Sequence, residues 1–157
     1  MLSITKQIRT ETGHRLCNYE GRCAHVHGHS YLWEITVEGE MDDRGMVADF
    51  KDLKQIMTEV IDPLDHAFVI SPEDPFNKLM AYRSHVEGGC YDITLEDIFT
   101  ATNGEEPRLF VWHENPTAES MAQWAAKEIQ RLLPLDIMHV TKVRVWETAT
   151  SFAEWNK

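Results

Sequence analysis

From His27 to Val37 the residues alternate so regularly that a β-strand with one buried face is the conformation they specify. His27, His29, Tyr31, Trp33, Ile35 and Val37 share one parity, and Ser30, Glu34, Thr36 and Glu38 share the other. Successive strand side chains point to opposite faces, so the two imidazoles stand on the same side as the apolar residues that must be covered. The chain therefore needs neighbouring strands and a layer to pack on them. A second strand is predicted over Ile4 to Thr10, with Ile4, Ile8 and Thr10 on one face and Thr5, Gln7 and Arg9 on the other. Gly39 to Gly45 has turn chemistry, and Met46 to Phe50 is expected to return as a short antiparallel strand. A last strand is expected over Thr141 to Thr148, placing Thr141, Val143, Val145 and the carboxylate of Glu147 on one face and Lys142, Arg144 and Trp146 on the other.

Two segments carry helical spacing instead. Phe50, Leu53, Ile56, Met57, Val60 and Ile61 form one stripe that Pro63 should end. Asn115-Pro116-Thr117 is a helix start signal, followed by Met121, Trp124, Ala125, Ile129 and Leu132, with Pro134 as the stop. The order strand, strand, strand, helix, long connection, helix, strand reads as α+β: an antiparallel sheet of about four strands with two helices packed on one face. At 157 residues this is a single domain. The long connection, Ser71 to His113, holds eight acids and three bases, a net charge of −5. Its length predicts some ordered structure, such as a short helix around Leu95 to Phe99.

The whole chain carries fifteen Lys+Arg against twenty-six Asp+Glu, a formal charge of −11. That excess opposes loose attachment to nucleic acid or to an anionic membrane, so any anionic ligand needs a local positive site. No run approaches the roughly 20 apolar residues of a membrane span. The N-terminus MLSITKQIRTETG lacks the apolar stretch of a secretory signal, and a cytoplasmic chain with no membrane or nucleic-acid partner is expected. Three cysteines, Cys17, Cys23 and Cys90, are an odd number at no disulfide-framework spacing, which favours reduced thiols.

Eight histidines include four within sixteen residues: His14, His25, His27 and His29. His27 and His29, one residue apart on a strand, make a two-ligand clip, and His14 at the end of the first strand is placed to supply a third imidazole. Three histidines with an open position is the pattern of a catalytic zinc site, although an isolated H-x-H pair is most often structural. The intervening Gly28 allows close approach of the backbone to an ion or substrate. Cys23 admits two roles: a fourth ligand that closes the site and makes it structural, or a free thiolate acting as base or nucleophile. Asp65-His66 pairs a carboxylate with an imidazole in a form suited to proton transfer. Glu147 is suited to hold a planar, N–H-rich ligand by two parallel hydrogen bonds, unless it is an edge residue turned outward.

Taken together, the segments T-G-H-R-L (12 to 16), C-A-H-V-H-G-H-S-Y (23 to 31), G-M-V-A-D-F-K-D-L-K (45 to 54), P-L-D-H (63 to 66), N-P-T-A-E-S (115 to 120) and V-W-E-T-A-T-S-F-A-E-W (145 to 155) resemble the 6-pyruvoyl-tetrahydropterin synthase superfamily, and most closely its bacterial 6-carboxy-tetrahydropterin synthase branch. The C-x3-H-x-H spacing is what resembles the bacterial branch. The resemblance implies Zn2+ on His14, His27 and His29, Cys23 as the proton-abstracting thiolate, Asp65 and His66 as a proton relay, and Glu147 as the anchor of a pterin ring. It implies 7,8-dihydroneopterin triphosphate as substrate, with 6-carboxy-tetrahydropterin, acetaldehyde and triphosphate as products on the way to 7-deazaguanine and queuosine. It also implies a tunnelling-type fold and a homo-oligomer, trimer-based and up to a hexamer, with active sites at subunit contacts. The connection 71–113 departs from the family by being longer, and its charge makes it a poor triphosphate ligand. Arg15, Arg22 and His25 are better candidates for the phosphate end. The rival readings are a pyruvoyl-forming enzyme, which eliminates triphosphate and keeps the side chain, and a non-catalytic zinc module in which Cys23 completes the ligand set.

Overall fold

The computed structural model describes residues 1–75, 108–134 and 136–157. Its strands are β1 (Leu2–His14), β2 (His27–Gly39), β3 (Phe68–Ile70), β4 (Leu109–Val111), β5 (Met138–Thr148) and β6 (Ser151–Asn156), and its helices are α1 (Phe50–Ile61) and α2 (Ala118–Leu132). They form one six-stranded sheet in the order β4-β3-β1-β2-β5-β6. The expectation of a four-stranded antiparallel sheet is corrected: β1, β2, β5 and β6 pair antiparallel, but β3 runs parallel to β1 and β4 parallel to β3. The sheet is mixed because the chain leaving α1 comes back alongside the end of β1, pairing Gly13 with Phe68 and His14 with Val69. These two short strands join the two-helix α+β architecture at one edge.

The alternation in β2 is borne out, with Tyr31, Trp33, Ile35 and Val37 all fully buried. Against them pack Leu53, Met57 and Ile61 of α1, Met121, Ala125 and Ile129 of α2, and Val143 and Val145 of β5. Each such Leu, Ile or Met contributes roughly 1.5–3 kcal/mol by leaving water. Ala118, Ala122, Ala125 and Ala126 give α2 a small-residue face toward the sheet. The helix starts follow their capping signals: Asp49 accepts from Lys51 N–H at 2.7 Å, and Thr117 accepts from Ser120 N–H at 3.2 Å.

Three local departures have physical causes. Met46–Phe50 is not a strand, because the Asp42 carboxylate gathers the N–H groups of Arg44 and Met46 while Asp49 caps α1. β1 runs four residues past Thr10, on a polar sequence whose inward hydroxyls are satisfied. Trp33 Nε1 donates to Thr10 at 2.9 Å, and the Thr12 hydroxyl donates to the Leu64 carbonyl at 2.9 Å. Third, the final turn is followed by β6, which pairs along β5 from Thr148 to Lys142. The expected helix around Leu95 to Phe99 lies outside the described residues. Both ends of the 71–113 connection belong to the scaffold, since Ser71 and Asp74 are buried, Leu109–Val111 is a strand and Trp112 enters the core.

Candidate metal centre and surrounding groups

The β1–β2 register brings the imidazoles together. His14 lies directly opposite His27, and His29 stands two residues along β2 on the same face. Ring centroids are separated by 4.4 Å for His14 and His27, 5.1 Å for His14 and His29, and 5.0 Å for His27 and His29. One nitrogen from each ring falls in a group whose members are all within 4.8 Å of one another. His14 is 2% exposed, and the other two are half-buried.

Two backbone carbonyls set the ring tautomers. His14 Nδ1 is 2.8 Å from the Pro116 carbonyl, and His27 Nδ1 is 2.8 Å from the His25 carbonyl. A carbonyl only accepts, so each Nδ1 carries the proton and each Nε2 presents a lone pair, the arrangement that outer-shell partners impose on metal-binding histidines. His27 Nε2 is buried and has no hydrogen-bond partner among the described residues. Burial lowers the His14 pKa to about 4, with the Pro116 bond opposing and the charges of His27 and His29 adding to the fall. His14 is thus neutral at pH 7 and able to ligate. An orphaned buried acceptor beside two further imidazoles fits a borderline-soft divalent cation.

Tyr31, which sequence reasoning treated only as a core residue, is the hub beside this cluster. Its hydroxyl lies 3.3 Å from His14 Nε2 and 3.4 Å from Glu147 Oε1. Burial, the Glu147 carboxylate and the charges of Cys23 and Glu119 all push its ionisation up. The signal available in the sequence was its parity, two residues beyond His29. Glu147 sits where β5 and β6 slip register between Trp146 and Thr148, and its carboxylate turns toward Tyr31 instead of outward. Cys23 occupies a short 3₁₀ turn, Arg22–Ala24, pinned where Leu16 N–H donates to the Cys23 carbonyl at 2.8 Å. Its thiol is free and half-buried, and it stands outside the group of three nitrogens.

Asp65 and His66 form their own pair at the open side of β1. The Asp65 carboxylate accepts from Glu11 N–H at 2.7 Å and lies 3.0 Å from His66 Nδ1. His66 has a left-handed φ of 53° and a side chain 73% exposed. Such a backbone costs a non-glycine residue roughly 1–2 kcal/mol and here aims the imidazole outward. No hydrogen bond joins this pair to the imidazole cluster among the described residues.

Burial opposes ionisation of Asp65, but the Glu11 N–H, His66 and Arg108 outweigh it and hold the carboxyl below its ordinary 3.8. Its contribution to stability is complete above the unfolded value and is lost as pH falls through the lower folded value. Acid unfolding followed by circular dichroism is therefore expected to be less steep below pH about 4 in Asp65→Asn than in the unmodified chain. Identical pH dependence of the two would dismiss this linkage.

Of the phosphate-end candidates, Arg22 and His25 are exposed. Arg15 instead pairs with the fully buried Asp74 at 3.2 Å, so its charge is answered within the chain. At Gly28 a Cβ would lie 3.1 Å from the Thr12 carbonyl, so the glycine lets β2 lie close against β1.

Comparison with known proteins finds relatives that span the full length of the chain. The family model for 6-pyruvoyl tetrahydropterin synthase matches residues 3–157. A relative from Haemophilus influenzae named 6-carboxy-5,6,7,8-tetrahydropterin synthase is 30% identical over 165 residues, with all of both chains covered. Among solved structures, an uncharacterised protein from Wolinella succinogenes superposes with a TM-score of 0.74 at 27% identity, covering 99% of this chain and 98% of that one. The Caenorhabditis elegans 6-pyruvoyl tetrahydropterin synthase shares the fold, with a TM-score of 0.63 at 20% identity and coverage of 99% and 95%. The chain belongs to the 6-pyruvoyl tetrahydropterin synthase family.

Proposed function

We propose that the chain is a zinc-dependent 6-carboxy-tetrahydropterin synthase. With one molecule of water, it converts 7,8-dihydroneopterin triphosphate to 6-carboxy-5,6,7,8-tetrahydropterin, acetaldehyde and triphosphate, within 7-deazaguanine and queuosine biosynthesis. The observation that carries this reading is the convergence of three imidazoles, two with carbonyl-fixed Nδ1–H groups, with the free Cys23 thiol outside that group. A closed structural site would enlist that thiol. The curated relative named for the 6-carboxy activity, together with the C-x3-H-x-H spacing at Cys23, His27 and His29, favours the carboxy outcome over the pyruvoyl one.

In this reading His14, His27 and His29 hold the ion. When bound, zinc supplies Lewis-acid polarisation of oxygens on the substrate side chain. Cys23 takes the proton from the side-chain carbon, and the Asp65–His66 pair returns a proton elsewhere. Glu147, oriented by the Tyr31 hydroxyl, accepts from the pterin N–H groups. Arg22 and His25, near the cysteine turn, meet the triphosphate.

A trimer-based homo-oligomer is part of the same proposal. β3 covers β1 only at Gly13 and His14, which leaves the rest of that edge without a strand partner among the described residues, and β6 ends the sheet on the other side. Open edges of this kind are pairing surfaces. The exposed His66 lies next to the β1 edge, where a neighbouring copy would meet it. No described helix is long and apolar enough to cross a membrane.

The test is incubation of zinc-loaded protein with dihydroneopterin triphosphate, with the pterin product identified by mass and acetaldehyde assayed. Carboxy product with equimolar acetaldehyde is expected. A pyruvoyl product would move the chain to the sister activity, and no turnover would overturn both.

A further inference from the structure

β1 ends at His14, and the chain departs through Arg15, Leu16 and Cys17, beyond the last β1–β2 pair. Beyond the Leu16–Cys23 and Arg15–Asp74 contacts, this exit is held by a loop 98 residues further along the sequence. The Asn115 carboxamide grips one residue of it from both sides: Oδ1 accepts from Cys17 N–H at 2.9 Å, and Nδ2 donates to the Cys17 carbonyl at 3.0 Å. The Cys17 thiol adds a third contact to Oδ1 at 3.2 Å. A side-chain amide here serves a main-chain amide as a strand partner would.

Asn115 is itself fixed to the start of α2. Its carbonyl accepts from Thr117 N–H at 2.9 Å and from the Ser120 hydroxyl at 3.1 Å, and that hydroxyl accepts from buried Trp112 Nε1 at 3.0 Å. The next residue is Pro116, whose ring restricts φ and whose carbonyl receives His14 Nδ1. Two cross-links, Asn115 to Cys17 and Pro116 to His14, therefore join neighbouring residues on one segment to residues three apart on the other. Together they fix both the position of the Pro116 carbonyl and the ring that it orients.

We infer that Asn115 is a positioning residue of the metal centre: by clamping Cys17 it registers the Pro116 carbonyl against His14 and keeps the His14 Nε2 lone pair directed into the imidazole cluster. The inference rests on the metal-site reading proposed above. It also accounts for the amide, because a carboxylate at this position would keep both contacts to Oδ1 but set a negative oxygen against the Cys17 carbonyl.

The test is a zinc titration of the metal-free chain against a chromophoric chelator, at a temperature where every variant is folded by circular dichroism. Asn115→Ala is expected to bind zinc about 10–100-fold more weakly, the cost typical of losing an outer-shell partner. Asn115→Asp is also expected to bind more weakly, and it carries the measurement if the alanine variant does not fold. Ile129→Val, a truncation in the core face of α2 remote from the clamp, is expected to lower the melting temperature while leaving zinc affinity within about twofold of the unmodified chain. Affinity unchanged in both Asn115 variants would overturn the clamp and leave the site reading standing. Equal losses in Asn115→Ala and Ile129→Val would also overturn it, by showing that general loosening suffices. An unmodified chain that takes up no zinc would overturn the site reading and the clamp with it.

Discussion

A Cys23→Ala variant is expected to take up as much zinc as the unmodified chain and to turn over dihydroneopterin triphosphate about 10²–10⁴-fold more slowly, the range by which a positioned general base accelerates a reaction. The separation of the two readouts follows from the placement of Cys23. The three imidazole nitrogens form a group without it, while its charge still registers at the Tyr31 hydroxyl beside that group. In the proposed mechanism that thiol acts as the base and is not required to hold the ion. Removing it creates no large cavity, since the side chain is only half-buried on a short surface turn. The check is metal content by atomic emission on the same sample used for the assay. Loss of zinc together with loss of folding in Cys23→Ala would mean that the thiolate is a ligand, and the interaction-module reading would replace the enzyme.

His27→Ala is expected to have the converse first effect and an equally severe second one: zinc is lost, and turnover falls below detection. His27 supplies a buried Nε2 that no described residue satisfies, and it faces His14 across the strand pair. Losing a ligand outright should exceed the roughly 10–100-fold cost of losing an outer-shell partner. The fold should persist, because β1 and β2 pair through their main chains along thirteen residue pairs. Zinc should raise the melting temperature of the unmodified chain, since a ligand that binds only the native state stabilises it, and it should do little for His27→Ala. A full equivalent of zinc retained by that variant would remove His27 from the ligand set. Measured side by side, the two variants distinguish the ion holder from the base.

The parts of the fold that were legible in the sequence were those written in hydrophobic periodicity. The β2 alternation, the α1 stripe and the Asn-Pro-Thr start of α2 all correspond to observed elements. The stripes loosened at their ends, where Phe50 and Leu132 prove exposed. The end of β1 was hidden because Thr10, Thr12 and His14 are buried polar residues, stabilised by hydrogen bonds that a hydropathy pattern does not register. β3 and β4 were hidden because three-residue strands have too little period to read, and they depend on a parallel return to β1.

Of the site, the residue types were visible and the supports were not. Histidines two apart announce a shared face, and chemistry alone makes Cys23, Asp65, His66 and Glu147 worth marking. Nothing local says that Pro116 will meet His14 from 102 residues away or that Asn115 will hold Cys17 from 98 away. Nor does sequence spacing reveal that Arg15, an attractive phosphate ligand on paper, is engaged by Asp74. Long-range partners decide these roles, and a linear reading has no access to them.

The head-on pairing of His14 with His27 has a consequence for how the chain tolerates changes in length. The connection between the two strands, residues 15–26, can lengthen at its exposed middle, Asn18–Gly21, without altering which residues face each other. One residue added inside β1 between Thr10 and His14 would instead turn His14 to the opposite face, the side of Glu11 and Ser30. The imidazole cluster depends on strand length as much as on residue identity, and a chain can keep every histidine and still lose the cluster to a single inserted residue.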